Sequence, residues 1–378
     1  MLEIYSPRSF RGIFLSGTTL SGGAVAILGL TLAATPAQAN CVTLGNTTTC
    51  NTNSPNPYLS TVGQGNSSAA DGRTVTVLPG AGINSGNASA ISLRDNATIT
   101  VDGLVENRST NSQGGYNTGG NTIEFRDNGT ITIGPDGKVL STGTQVSAEA
   151  INVQGTNNTI INNGRINAVK GAAIWVEKPG TLTVVNNGVI STGPLDNSSR
   201  TATVIGGNIN SGIDFTNRGT VYGSLNLGTG SDTLRLYTGS VITGNFSGGT
   251  GPGTDRIYLN GTGSDLLPGQ MTGFEYLYKQ DSGTWELSGS ITNLIAAEVQ
   301  AGTLILSGNN SGFSGTTTVD SGATLQGRAQ SLPTAITNSG LVRFDQPDTG
   351  TYSGVISGSG GLEKTGVGVV TLTSALAY

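Results

Sequence analysis

"LTVVNNGVIST", residues Leu182–Thr192, decides the fold. Apolar residues alternate with others on both sides of Asn-Asn-Gly, and those three residues break the alternation. Alternation sends every second side chain to one face of a strand. Asn and Gly tolerate positive φ, so the chain bends sharply there at little steric cost. The segment reads as strand, corner, strand. A tight hairpin uses the same letters, so this stretch alone leaves a coil corner and an antiparallel hairpin both open.

The pattern returns five times: "ISLRDNATITV" (Ile91–Val101), "IEFRDNGTITI" (Ile123–Ile133), "TIINNGRINA" (Thr159–Ala168), "IDFTNRGTVYG" (Ile213–Gly223) and "AITNSGLVRF" (Ala335–Phe344). The copies align on Ala97, Gly129, Gly164, Gly188, Gly219 and Gly340. Two residues earlier stands Asp95, Asp127, Asn162, Asn186, Asn217 or Asn338, and two residues later always Ile or Val. From Ala97 to Gly219 the aligned positions follow one another at comparable intervals. Spacing of roughly two to three dozen residues suggests solenoid coils carrying insertions. The expected fold is all-β: a right-handed parallel β-helix with Ile, Val, Leu and Phe stacked inside and Asn laddered at its corners. A sandwich of hairpins is the alternative. At ~4.8 Å per coil and roughly two dozen residues per coil, the rod is on the order of 70 Å long.

Composition agrees. Of 378 residues 60 are Gly, 11% are charged and the net charge is −5. Disorder goes with few β-branched residues and high net charge, whereas Thr, Val and Ile recur here throughout. A pI near 4.8 with scattered Lys and Arg lacks the basic face that nucleic-acid binding requires.

Residues 1–39 read as a signal peptide. Arg8 and Arg11 precede the apolar run "AVAILGLTLAA" (Ala24–Ala34), and Ala37 and Ala39 occupy the −3 and −1 positions of a cleavage site before Asn40. That run is too short to cross ~30 Å of hydrocarbon, and a secretory leader fits. Loss of Glu3, Arg8 and Arg11 leaves 22 acidic and 16 basic residues, a charge of −6. Export takes the only two cysteines, Cys41 and Cys50, into an oxidising compartment, where a local disulfide is expected. Two thiols without His do not complete a zinc site. Residues 40–70 read as an N-terminal cap and 71–378 as the β-helical region, with "NSQGGYNTGGN" (Asn111–Asn121) as a loop leaving it.

"AGTLILSGNNSGFSGTTTVDSGATLQG" (Ala301–Gly327) resembles the passenger-associated transport repeat of bacterial autotransporters, the type V secretion family. "GSGGLEKTGVGVVTLTS" (Gly358–Ser374) resembles the lead-in half of the same unit, placing a second repeat at about 358–378. "YKQDSGTWELSGS" (Tyr278–Ser290) fits that lead-in too: Lys279, Gly283 and Leu287 match Lys364, Gly368 and Leu372. The resemblance covers about 228–374. It implies a passenger exported by Sec and signal peptidase, then across the outer membrane through a C-terminal barrel. The barrel signature, many ten-residue amphipathic strands with aromatic girdles, is missing from this sequence. The expectation is a passenger truncated before its barrel: periplasmic as it stands, and at the cell surface, outer membrane or outside the cell when intact. Membrane contact then runs only through that barrel, and a host, matrix or neighbouring-cell surface is the expected partner.

The chain has no His. That excludes Ser-His-Asp and Cys-His catalysis and the commonest general base. Asp-Ser-Gly at Asp281–Gly283 and Asp320–Gly322 reads as turns. Three G-x-G-x-D stretches (Gly228–Asp232, Gly251–Asp255, Gly261–Asp265) resemble calcium-roll corners. A calcium roll needs tandem nonapeptides, and aspartates at 232, 255 and 265 do not keep that register, so these read as Asx-type turns. No catalytic residue, cofactor or metal site is expected. The function expected is a non-enzymatic adhesin-like or spacer rod. The alternative is a β-helical lyase or glycoside hydrolase, which needs carboxylates clustered on one face.

Overall fold

The computed structural model describes residues 40–374 except 64, 66, 111–120, 145–147, 195–201, 208–209, 211, 311–312 and 314. The expected leader with Ala39, and all of the Asn111–Asn121 loop but Asn121, lie outside the described residues.

Where Thr, Val and Ile alternate, the chain forms short strands, and nearly all of them pair in parallel. One sheet of fifteen strands runs from Cys41–Leu44 to Val355–Ser357. Fourteen of these run parallel; Cys41–Leu44 alone is antiparallel, folded back on Thr47–Cys50. Each parallel step is one coil, so thirteen steps at ~4.8 Å give a rod about 60 Å long. The fold is the parallel β-helix.

The coils fall into two sets. Along the long sheet, the first set is marked by Thr74, Thr98, Thr130, Thr159, Thr183 and Asp214, each paired with the next. These coils are long and unequal. The second set is marked by Asp214, Thr233, Arg256, Tyr276, Ala296, Thr316, Ala335 and Val355. These coils are shorter and nearly equal. In the first set a seven-stranded sheet (Gly82–Asn84 through Val241–Ile242) and a five-stranded sheet (Ile91–Ser92 through Ile205–Gly207) complete each coil. The extra residues enter between those two sheets, as between Asn107 and Ile123. In the second set the seven-stranded sheet ends with Thr220–Tyr222 and Val241–Ile242, and a six-stranded sheet (Ser264–Leu267 through Gly361–Thr365) then takes over, with three- and two-stranded sheets beside it.

One apolar core runs from Cys50 to Ile356. Parallel register stacks like on like: Val75, Ile99, Ile131, Ile160, Val184 and Phe215 form one inward file of the long sheet. Each such side chain contributes about 1.5–3 kcal/mol by leaving water. Stability is then close to a sum of coil and nearest-neighbour terms.

The corner motif divides in a way its spacing does not reveal. Asn162–Gly164, Asn186–Gly188, Asn217–Gly219 and Asn338–Gly340 leave the long sheet. Asp95–Ala97 and Asp127–Gly129 instead enter it, because Ile99 and Ile131 lie on the long sheet itself. The interval from Gly129 to Gly164 is therefore a coil plus a change of corner. The coil itself runs only from Thr130 to its partner Thr159.

The glycines also act differently from the expectation. Positive φ falls on Asn96 and Asn128 (58° and 57°), whereas Gly129, Gly164, Gly188, Gly219 and Gly340 have no positive φ. Gly164, Gly188, Gly219 and Gly340 are glycine because coils touch there, and Gly129 because the Phe125 ring packs over it. A Cβ on Gly188 would lie 2.1 Å from the Gly164 carbonyl oxygen, and one on Gly219 2.1 Å from that of Gly188.

Candidate functional site

The predicted residues assemble as ladders. Inside the corner, Asn162 Nδ2 donates to Asn186 Oδ1 and Asn186 Nδ2 to Asn217 Oδ1, both at 2.8 Å. All three asparagines are fully buried, so these bonds satisfy groups that water does not reach. Asn338 stands apart, donating to the Gly361 carbonyl at 2.9 Å. On the other corner Asp127 Oδ1 accepts from Thr156 N at 2.7 Å and Asp95 Oδ1 from Asp127 N at 3.3 Å. Cys41 and Cys50 are paired opposite each other in the hairpin and joined as a disulfide. Asn40 is buried, and its carbonyl accepts from Asn51 N.

The file that holds the Asn ladder continues as Leu236, Leu259 and then Lys279. Lys279 is fully buried. Its ammonium donates to the carbonyls of Gln280 (2.5 Å), Asp281 (2.8 Å) and Ala301 (2.9 Å). Burial lowers its pKa to about 8, opposed by Asp281. Lys364, its counterpart in the lead-in motif, lies on the six-stranded sheet and donates to the Gly366 carbonyl. The two copies thus sit on different sheets, and each lysine caps the corner that follows it.

A second ladder comes from two of the G-x-G-x-D stretches. The interval between Asp232 and Asp255 is one coil, the same as from Thr233 to Arg256. Ile213 N donates to Asp232 Oδ1 (2.6 Å), Asp232 N to Asp255 Oδ1 (2.7 Å) and Asp255 N to Glu275 Oε2 (2.7 Å). Asp232 is fully buried, and its Oδ2 has no partner. Burial raises Asp232 to about 8 against its bond from Ile213, with Asp255 adding to the rise. Burial likewise raises Asp255 to about 6 against its bond from Asp232; Glu275 adds and Arg256 opposes. Asp265, from the third stretch, lies apart on the six-stranded sheet and accepts from Gly239 N. Among the described residues no group of three or more His, Cys, Asp or Glu is placed to hold a metal ion.

One carboxylate group, on the five-stranded sheet, has no signature in the sequence pattern. Glu124, Asn152 and Trp175 are side by side in register. Glu124 accepts from Ser92 Oγ at 2.6 Å, and Trp175 Nε1 donates to Glu177 at 3.1 Å. Burial raises Glu149 to about 8, opposed by its own backbone N–H and increased by Glu177 and Glu124. Acid catalysis needs a carboxyl that substrate can reach, yet Glu124 and Glu149 are 0% and 6% exposed.

Aromatic and guanidinium groups line the outer face of the long sheet over three coils. Tyr258 and Tyr278 stack at 5.0 Å, Arg235 lies 5.4 Å over Tyr258, and Arg218 lies 4.0 Å over Tyr237. Neighbouring rings and guanidinium groups pack against these ring faces. The contacts brace adjacent coils.

No protein-family model, curated protein or solved structure matches the chain.

Proposed function

We propose that the chain is the non-enzymatic passenger rod of an autotransporter, an adhesin-like or spacer element. One observation carries this reading: short, nearly equal coils without long insertions fill the stretch that resembles passenger sequence, about 228–374. A chain that crosses a pore and stacks coil by coil is served by such a uniform, insertion-free segment. The disulfide-closed hairpin at the other end blunts one sheet edge against pairing with other chains. Fusion to an outer-membrane barrel tests the reading. The rod should appear on intact cells as a protease-resistant fragment, and deleting Gly302–Gly327 should lower its yield. Equal yields from both forms would refute a role for the repeat.

A polysaccharide-active enzyme is the second reading: Glu149, raised to about 8 with Glu177 and Glu124 contributing, has the pKa of a general acid, and its burial counts against it. Incubation with plant and bacterial polysaccharides tests it. Reducing ends or unsaturated products that vanish in Glu149→Gln would replace the rod reading with an enzyme.

A further inference from the structure

The outer face of the long sheet carries a lattice of threonines that neither the core nor the corners require. One file is Thr47, Thr74, Thr98, Thr130, Thr159 and Thr183, each paired in register with the next. Two residues along each strand, a second file is Thr49, Thr76, Thr100 and Thr132, continued by Ile161 and Val185. At the hairpin the files extend to Leu44, which pairs with Thr47, and Val42, which pairs with Thr49; they are 85% and 44% exposed. All these outward positions are uncharged.

Strand propensity explains an outward Thr, but not this distribution. Beyond Thr183 the same two files read Asp214, Thr233, Arg256, Tyr276 and Thr216, Arg235, Tyr258, Tyr278. The sheet continues with mixed residues, so the threonines form one block and not a general preference. Their hydroxyls are uncommitted: among the described residues none of the ten has a protein hydrogen-bond partner. Thr48, which points inward, shares a 2.8 Å hydrogen bond with Thr43.

Each threonine presents a methyl and a hydroxyl that donates and accepts, and branching at Cβ stiffens its χ1. Little side-chain freedom is lost when the face meets an ordered surface. The lattice repeats are about 4.8 Å along the rod and about 6.6 Å across it. The repeat along the rod lies close to the shorter oxygen repeat on a prism face of hexagonal ice, and the repeat across it falls somewhat short of the longer one. Water held between the files by hydroxyls and methyls would already sit near lattice positions.

We propose that this threonine face binds crystalline water, making the N-terminal half of the rod an ice-binding surface. The proposal rests on the β-helical register alone and is independent of how the rod is exported. The purified protein should show thermal hysteresis, shape ice into faceted crystals and partition into slowly growing ice. Thr100→Tyr places a bulky ring mid-lattice, and Thr98→Lys puts a hydrated charge at an exposed position. Both should abolish the effect while keeping the β-sheet circular dichroism. Thr318→Tyr, on the same sheet outside the block, should retain it. A folded protein excluded from ice, or a Thr98→Lys variant as active as the parent, overturns the proposal. Retention on crystalline cellulose or chitin without ice activity also overturns it and reassigns the lattice to a polysaccharide surface.

Discussion

Asp232 should make the rod less stable as pH rises. Its carboxyl is fully buried with one oxygen unpartnered, and its pKa stands near 8 against an ordinary 3.8. Between those values the folded chain holds a proton that the unfolded chain has released. Stability from this group is therefore complete below pH ~4, falls across the interval and levels off above ~8. At about 1.4 kcal/mol per pH unit, that interval sets a ceiling on the order of 6 kcal/mol. Asp255 reduces what belongs to Asp232 alone, since the two titrate as a pair. Glu149, raised to about 8 from 4.5, slopes the same way. The measurement is therefore the difference between parent and Asp232→Asn in urea unfolding at half-unit steps from pH 4 to 9. Asn keeps the acceptor for Ile213 N–H and removes the titration. The variant should gain on the parent by several kcal/mol toward pH 8. Because coils contribute locally, faster hydrogen exchange in the parent at high pH should centre on Gly212–Asn260. A difference that stays flat from pH 4 to 8 would refute the buried-acid reasoning.

Lys279 slopes oppositely. Its folded pKa of about 8 lies below the ordinary 10.5, so stability should rise from pH 8 to 10.5, and Lys279→Met should lose that rise along with about 1–3 kcal/mol from carbonyls left without a donor. Gly188→Ala should cost about 1–3 kcal/mol, near the upper end because the obstacle is the Gly164 carbonyl. Gly361→Ala, whose nearest obstacle is a Leu341 methyl at 3.4 Å, should stay within about 0.5 kcal/mol of the parent in the same denaturation series. Replacing Cys41 and Cys50 by Ser should remove about 2.7 kcal/mol by loop entropy; hydrogen exchange should quicken in Thr47–Cys50 and stay unchanged in Ala335–Asn338.

Alternation around Asn-Gly revealed the strands, and the recurring intervals between motif copies revealed coils. Those are local signals, each contained in one copy or one interval. The corner assignment was less legible: Asp127–Gly129 and Asn186–Gly188 have nearly the same letters but opposite relations to the long sheet. A strand-corner-strand unit is locally the same at any corner, so only the sheets on either side distinguish them. The reason for the glycines was hidden likewise. Gly188 lacks a Cβ because of Gly164, one coil earlier in the chain.

Register explains why the candidate sites escaped notice. Parallel pairing turns a residue's position along its strand into membership of a file, so chemistry appears only once coil lengths are known. Asp232 and Asp255 looked mismatched against a roll of nonapeptides, yet they stand one coil apart and the Asp255 carboxylate accepts from Asp232 N. In the sequence Lys279 is only a match to Lys364 in the lead-in, yet its file is the buried one of Asn186 and Leu259. The threonines were visible as good strand formers, and their lattice was not, because coils of unequal length scatter Thr74, Thr98, Thr130 and Thr159 along the sequence. Insertions between the second and third sheets lengthen a coil without disturbing the long sheet. That is how coils of unequal length keep one face periodic, and a periodic face is what an ordered surface can recognise.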